Sequence, residues 1–226
     1  MGSVLSEAAE DYLKAVYLLR RGTESVSTSE IAARLGVAPA SVTQMIKKLD
    51  GMRPRLLVYT RHRGVTLTPH GERVAVEIIR HHRLIELFLA ESLGMSWDEV
   101  HAEAEKLEHV ISPAMADRIA DKLGDPKYDP HGAPIPAKGG RMPETGWQPL
   151  CALSAGQSGI IRSVHDADAE LLRYLGGLGM RPGTRVHMVE KTPFDGPLHV
   201  DVGEGTTKAR HILGQRAASE VLVEPR

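Results

Sequence analysis

Residues 124–147, GDPKYDPHGAPIPAKGGRMPETGW, divide a chain of two textures. Before them, apolar residues recur at helical spacing; after them, short β-prone runs alternate with Gly/Pro turns. No single layer of secondary structure accommodates both patterns, so an α part and a β part are expected, joined by a Pro/Gly-rich linker. The 226 residues suffice for both cores.

The α part opens with apolar residues Ala8, Tyr12, Leu13, Val16, Tyr17 and Leu19, which predict a helix from Glu7 to Arg21. In VSTSEIAARLGV, Ser27 and Glu30 fit a capping box, and Gly36 fits a helix stop. APASVTQMIKKLDGM follows, with Pro39 in a first turn and Val42, Met45, Ile46 and Leu49 on one side. Two short helices joined by a tight turn read as a helix-turn-helix. Next, Leu57–Thr60 and Val65–Thr68 flank the basic turn Arg61-His62-Arg63-Gly64, a hairpin signal. Together these make a winged helix. Thr68 and Pro69 then open a long helix that Gly94 stops, and Ser96 and Glu99 fit a further capping box.

Helix-turn-helix pairs also occur in ordinary bundles, but the wing and the charge distribution favour DNA. Residues 1–75 carry eleven Lys/Arg against seven Asp/Glu, whereas 98–129 carry nine Asp/Glu against four Lys/Arg. One end suits phosphates and the middle suits cations. The second helix of such a motif presents its N-terminal residues to base edges. Gln44 can pair with adenine, and Ala38, Pro39 and Ala40 can touch thymine methyls. Ser41, Thr43, Lys47 and Lys48 suit phosphates, as do Ser27 and Thr28 at the start of the first helix and Arg61 and Arg63 on the wing. Aromatic residues, at 4%, are too few for a single-strand stacking surface.

The acidic middle holds a second pattern. At about 100° per residue, His101, Glu105, Glu108 and His109 share one sector of a helix, while Glu103 points away. His82 and Glu86, spaced i, i+4, share a face of the preceding helix, and antiparallel packing could bring them to His101. Two readings stand at this point: solvated surface pairs, or a metal site. Cys151 is the one cysteine, which excludes a disulfide framework and a CxxC zinc site. No 18-residue apolar run or basic-then-apolar start is present, so a cytoplasmic chain without membrane contact is expected.

The segments EDYLKAVYLL, VAPASVTQMIKKLD, RHRGVTLTPHGE, HHRLIELFLAESLGMSWDEVHAEAEKLEHVIS and DPHGAPIP resemble the diphtheria-toxin-repressor family of metal-dependent regulators. LLRYLGGLGMRPGTRV and PFDGPLHV resemble the SH3-like (FeoA-like) module that ends many members. The resemblance implies a multidomain, mainly α protein with a β C-terminal domain. Its parts would be a winged helix-turn-helix (1–72), a helical metal-binding and dimerisation domain (73–124), a linker (125–147) and the SH3-like barrel (148–226). It implies a primary metal site of Asp11, Glu105, Glu108 and His109, and an ancillary site of His82, Glu86 and His101, completed by Asp166 or Asp168. In iron-responsive members Met and Cys stand where Asp11 and Glu105 stand here. Hard oxygen ligands suit manganese, with ferrous iron as second choice. Lys14 replaces a carboxylate of the short manganese regulators, so two separated sites are expected rather than a close two-metal cluster. A homodimer on palindromic double-stranded DNA, repressing metal-uptake genes without any small-molecule substrate, is the implied function. A metallohydrolase lacks support: HExxH is absent, and HxxEH would need His where Glu105 stands. A winged-helix sensor of an organic ligand is the remaining alternative.

Overall fold

The computed structural model describes residues 5–20 and 25–226; Arg21, the expected end of the first helix, lies outside them. Contacts divide the chain into two units. One comprises Met1–His82, Lys106–Asp117 and Pro136–Met142; the other comprises Arg83–Glu105, Arg118–Ile135 and Pro143–Arg226.

In the first unit, helices α1 (Glu7–Leu19), α2 (Thr28–Leu35) and α3 (Pro39–Gly51) precede the hairpin β1 (Leu57–Thr60) and β2 (Gly64–Leu67). The capping box expected at Ser27 is formed: its hydroxyl accepts from the Glu30 N–H, and the Glu30 carboxylate accepts from the Ser27 N–H. Gly36, left-handed at φ 63°, ends α2. Leu13 and Val16 of α1 share one core with Ile31, Val42, Ile46, Leu49, Leu57 and Val65. The helix-turn-helix therefore rests on α1. Val26 bridges to Val65, adding a short third strand to the wing. Thr68 caps α4 (Pro69–Leu93) by accepting from the Gly71 N–H.

Beyond α4 the helix expected to carry His101 through His109 is shorter than that. α5 (Val100–Leu107) stops before Glu108, and α6 (Pro113–Lys122) starts anew. Ser112-Pro113 sets the new start: the residue before proline disfavours α geometry, while proline suits a first turn. The Ser112 hydroxyl caps α6 by accepting from the Met115 N–H. At the start of α5, Ser96 donates its hydroxyl to the Glu99 carboxylate, so the expected reciprocal backbone capping is replaced by a side-chain pair.

The second unit is built on β3 (Gln148–Pro149), β4 (Ser158–Val164), β5 (Arg185–Lys191), β6 (Leu198–Val202), β7 (Ala209–Leu213) and β8 (Val221–Pro225). They form one antiparallel sheet in the order β3-β8-β4-β5-β6-β7. α7 (Ala169–Gly177) and α8 (Gln215–Ser219) help to close its core of Ile161, Leu172, Leu175, Val186, Met188, Val200 and Val223. β7 lacks an apolar alternation because it is an edge strand that buries only Leu213.

Residues 129–136 of the expected linker are packed structure. Asp129 accepts from the His131 and Ala133 N–H groups, making a tight turn, and the His131 carbonyl accepts from the Val164 N–H. Asp129, His131, Gly132 and Ile135 are buried. Gly132, at φ 82°, leaves no room for a side chain: a Cβ there would sit 1.9 Å from the Arg162 carbonyl oxygen. No described helix is long and apolar enough to cross a membrane.

Gly132→Ala should therefore cost more than about 1 kcal/mol, through left-handed strain and the clash with β4. Chemical denaturation checks this, and an unchanged midpoint would show that the 129–133 turn is not fixed by its packing.

Candidate metal centres and nucleic-acid face

The buried face of α3 is Val42, Ile46 and Leu49. That leaves Ala38, Pro39, Ala40, Ser41, Gln44, Lys47 and Lys48 exposed, so the expected base- and phosphate-contacting residues lie on one solvent face. Thr43 is half-buried, and its hydroxyl donates to the Pro39 carbonyl within its own helix. Arg61 and Arg63 are exposed at the wing tip, where His62 takes a positive φ of 65°. Ser27 is exposed and Thr28 half-buried at the start of α2, where a helix N-terminus favours an anion.

Within the first unit, α1 brings Asp11 to Glu108 and His109, which occupy the turn after α5. Their ligand atoms lie within 4.8 Å of one another. His109 Nε2 is 2.9 Å from Asp11 Oδ1 and 3.3 Å from Glu108 Oε1. The other nitrogen, Nδ1, is 2.7 Å from Glu10 Oε2. A carboxylate behind the imidazole fixes the ring and turns Nε2 towards the cluster, as outer partners of metal-bound histidines do. Nε2 makes no hydrogen bond among the described residues, despite its short approach to Asp11. Burial works against charge on this imidazole, but Glu10, Glu108 and Asp11 outweigh it and raise its pKa. Acidic oxygens and an imidazole nitrogen thus converge on one locus, a donor set that fits a divalent cation.

Glu108 is almost fully buried, at 1% exposure. Lys14 Nζ donates to Oε1 at 2.9 Å and to Oε2 at 2.8 Å, and His82 Nδ1 lies 2.5 Å from Oε2. His82, expected with Glu86 and His101, also places its Nδ1 against Glu108.

The second unit holds a separate cluster. Glu86 on α4, Asp129 and His131 in the turn, and Asp166 after β4 place ligand atoms within 4.8 Å of one another. His101 joins them, with Nδ1 3.1 Å from Glu86 Oε1 and 3.6 Å from Asp166 Oδ2. His131 is fully buried. Its Nε2 lies 2.5 Å from the Trp97 carbonyl oxygen, so that nitrogen donates and Nδ1 faces the carboxylates. Nδ1 stands 3.8 Å from Glu86 Oε2 and 3.9 Å from Asp166 Oδ2. Neither His131 Nδ1 nor Asp129 Oδ2 finds a hydrogen-bond partner among the described residues. Burial and the neighbouring Glu86 push the Asp129 carboxyl up, against the lowering effect of Arg83 and His131. These inward-facing carboxylate and imidazole atoms again fit a cation of that preference.

Of the residues expected to act together, Asp11, Glu108 and His109 are grouped, as are Glu86, His101 and Asp166. Glu105 has Oε1 3.7 Å from His101 Nε2. Asp168 is spent as the N-cap of α7 and pairs with Arg216. Asp129 and His131 carried no ligand expectation. Their sequence signals were an Asp and a His two apart, inside the stretch read as a linker, and their place in the family-like segment DPHGAPIP.

Three family models match consecutive stretches. Residues 4–65 match the iron dependent repressor N-terminal DNA binding domain, 68–137 its metal binding and dimerisation domain, and 148–225 the FeoA domain. The iron-dependent repressor IdeR of Mycobacterium tuberculosis is 32% identical over 96% of this chain and 98% of its own. The HTH-type transcriptional regulator MntR of Lysinibacillus sphaericus is 39% identical over 50% of this chain and 78% of its own. Among solved structures, a manganese-dependent transcriptional repressor in complex with manganese aligns with a TM-score of 0.88 at 38% identity, covering 95% of this chain and 98% of that one. ScaR with bound Zn2+ aligns at 0.81 and 35%, covering 96% and 98%. With a DNA-binding helix pair, carboxylate–imidazole clusters and this similarity along nearly its whole length, the chain belongs to the diphtheria-toxin-repressor family of metal-dependent repressors.

Proposed function

We propose that this chain is a manganese-activated repressor that binds a palindromic operator as a homodimer. The observation that carries the reading is the meeting of Asp11 with Glu108 and His109, because Asp11 lies on the helix that supports α2 and α3. When bound, a divalent cation supplies the charge that lets these acidic groups share one locus. Asp11 then ties α1 to the turn after α5, Glu10 holds the His109 ring, and the apolar contacts of Leu13 and Val16 pass that placement to the recognition helix. Only the state presenting all ligands together gains from the metal, so the metal selects one placement of α3.

Glu86, His101, Asp129, His131 and Asp166 are assigned to a second metal. Both clusters consist of oxygen and imidazole donors without sulfur, which favours manganese, with ferrous iron next. Relatives named for manganese and for iron support both ions. Exposed Leu107, Val110 and Met115 offer an apolar patch for a second copy, in a region matching a dimerisation domain. Such a dimer would set two α3 helices on half-sites one helical turn apart.

Gel shifts on the cognate promoter should show tight binding with manganese that is lost with chelator. Asp11→Ala should abolish the metal dependence. Equal affinity with and without manganese would sink the mechanism. Gln44→Ala should cost about 1–3 kcal/mol on the operator while sparing non-specific DNA. Equal losses on both DNAs would remove Gln44 from base reading.

The second cluster predicts a pH dependence. Burial lowers the His131 pKa, but the facing Glu86, Asp166 and Asp129 carboxylates outweigh it and hold the pKa at about 9. Below that pH the imidazole must give up a proton to become a ligand. Metal affinity at this site should therefore rise roughly tenfold per pH unit towards pH 9, then level off. Calorimetry in buffers of different ionisation enthalpy measures the released proton; no release at pH 7 would exclude His131 as a ligand.

A further inference from the structure

The metal-free form of the first cluster already contains a cation. Lys14 lies on α1 one turn after Asp11, and its side chain is buried to 9% exposure. Its ammonium donates to both oxygens of Glu108, at 2.9 and 2.8 Å, so neither oxygen can ligate a metal without losing or sharing a charged hydrogen bond. His82 adds a third contact to the same carboxylate, and Lys14 Nζ is 3.3 Å from His82 Nδ1. A metal held by Asp11, Glu108 and His109 would stand within a few Å of the ammonium, and like charges at that range in a buried site repel strongly.

We propose that Lys14 is a tethered counter-cation: it occupies Glu108 when metal is absent and is expelled from Glu108 when metal binds. This rests on the assignment of Asp11, Glu108 and His109 as ligands. Two effects follow from one residue. In the metal-free protein Lys14 compensates a carboxylate that burial would otherwise leave as an isolated charge. In the metal-binding equilibrium it competes intramolecularly for that carboxylate, so it sets the metal concentration at which the regulator responds. The four-carbon stem lets the ammonium leave while its backbone stays fixed on α1.

The test is Lys14→Met, which keeps the apolar stem and removes the charge. Manganese chloride titrations of the full chain should show binding tightened by roughly tenfold or more, since a like charge beside the metal has been removed. The metal-free variant should melt at a lower temperature than the metal-free parent, and saturating manganese should restore it. Unchanged or weakened affinity overturns the proposal. Asp11→Ala, titrated in parallel, isolates the underlying assignment: if it leaves every manganese affinity intact, the ligand assignment itself fails, whatever Lys14 does. If Lys14→Met does not fold, the parent protein decides. A hydrogen-bonded Lys14 ammonium resonance should be present without metal and lost on saturation with diamagnetic cadmium; its persistence unchanged overturns the proposal.

Discussion

The buried carboxylate of Glu108 is the constraint around which the first unit is arranged. An unpaired charge at 1% exposure would cost several kcal/mol, so the fold must bring partners to it. They come from three separate places in the chain: Lys14 from α1, His82 from α4, and His109 from the next position along the turn. Satisfying Glu108 therefore joins the helix beneath the DNA-reading pair to the end of α5. In the proposed mechanism this geometry would give a bound metal leverage over DNA binding, because α1 cannot present Asp11 to the cluster without also being placed against α2 and α3.

The second unit solves the same problem with different residues. Glu86, Asp129 and His131 are all buried and charged or chargeable, and each is held by structure that does not itself need a metal. Asp129 organises a turn, His131 leans on the Trp97 carbonyl, and Arg83 reaches the Asp129 carboxylate. Preformed positions of this kind reduce what a ligand must order on binding. Asp166, which follows β4, puts the β unit directly into the cluster, so the C-terminal domain contributes a potential ligand as well as bulk.

Periodicity and capping chemistry worked where structure is local. The Ser27–Glu30 box, Gly36, Pro39 and Thr68 each mark an element boundary through bonds made within a few residues. Helical periodicity placed His101, Glu105, Glu108 and His109 on one stripe, but α5 ends at Leu107, before the last two. Glu108 and His109 fall in the turn that follows, where the helical angle no longer fixes their direction. β7 went unread because an edge strand has no buried face to betray it.

The sequence by itself determined the division into an α part and a β part, the winged helix and its exposed reading face, and the kinds of atoms available to a metal. These depend on spacing, turn chemistry and composition, all of which act over short stretches of chain. Only the tertiary structure decided which ligands meet. It set Glu105 beside His101, spent Asp168 on a helix cap, and set Lys14 on Glu108. It also drew Asp129 and His131 out of an apparent linker. Those pairings are made between residues as far as 94 positions apart, and burial and charge compensation select them, neither of which is written in any one segment.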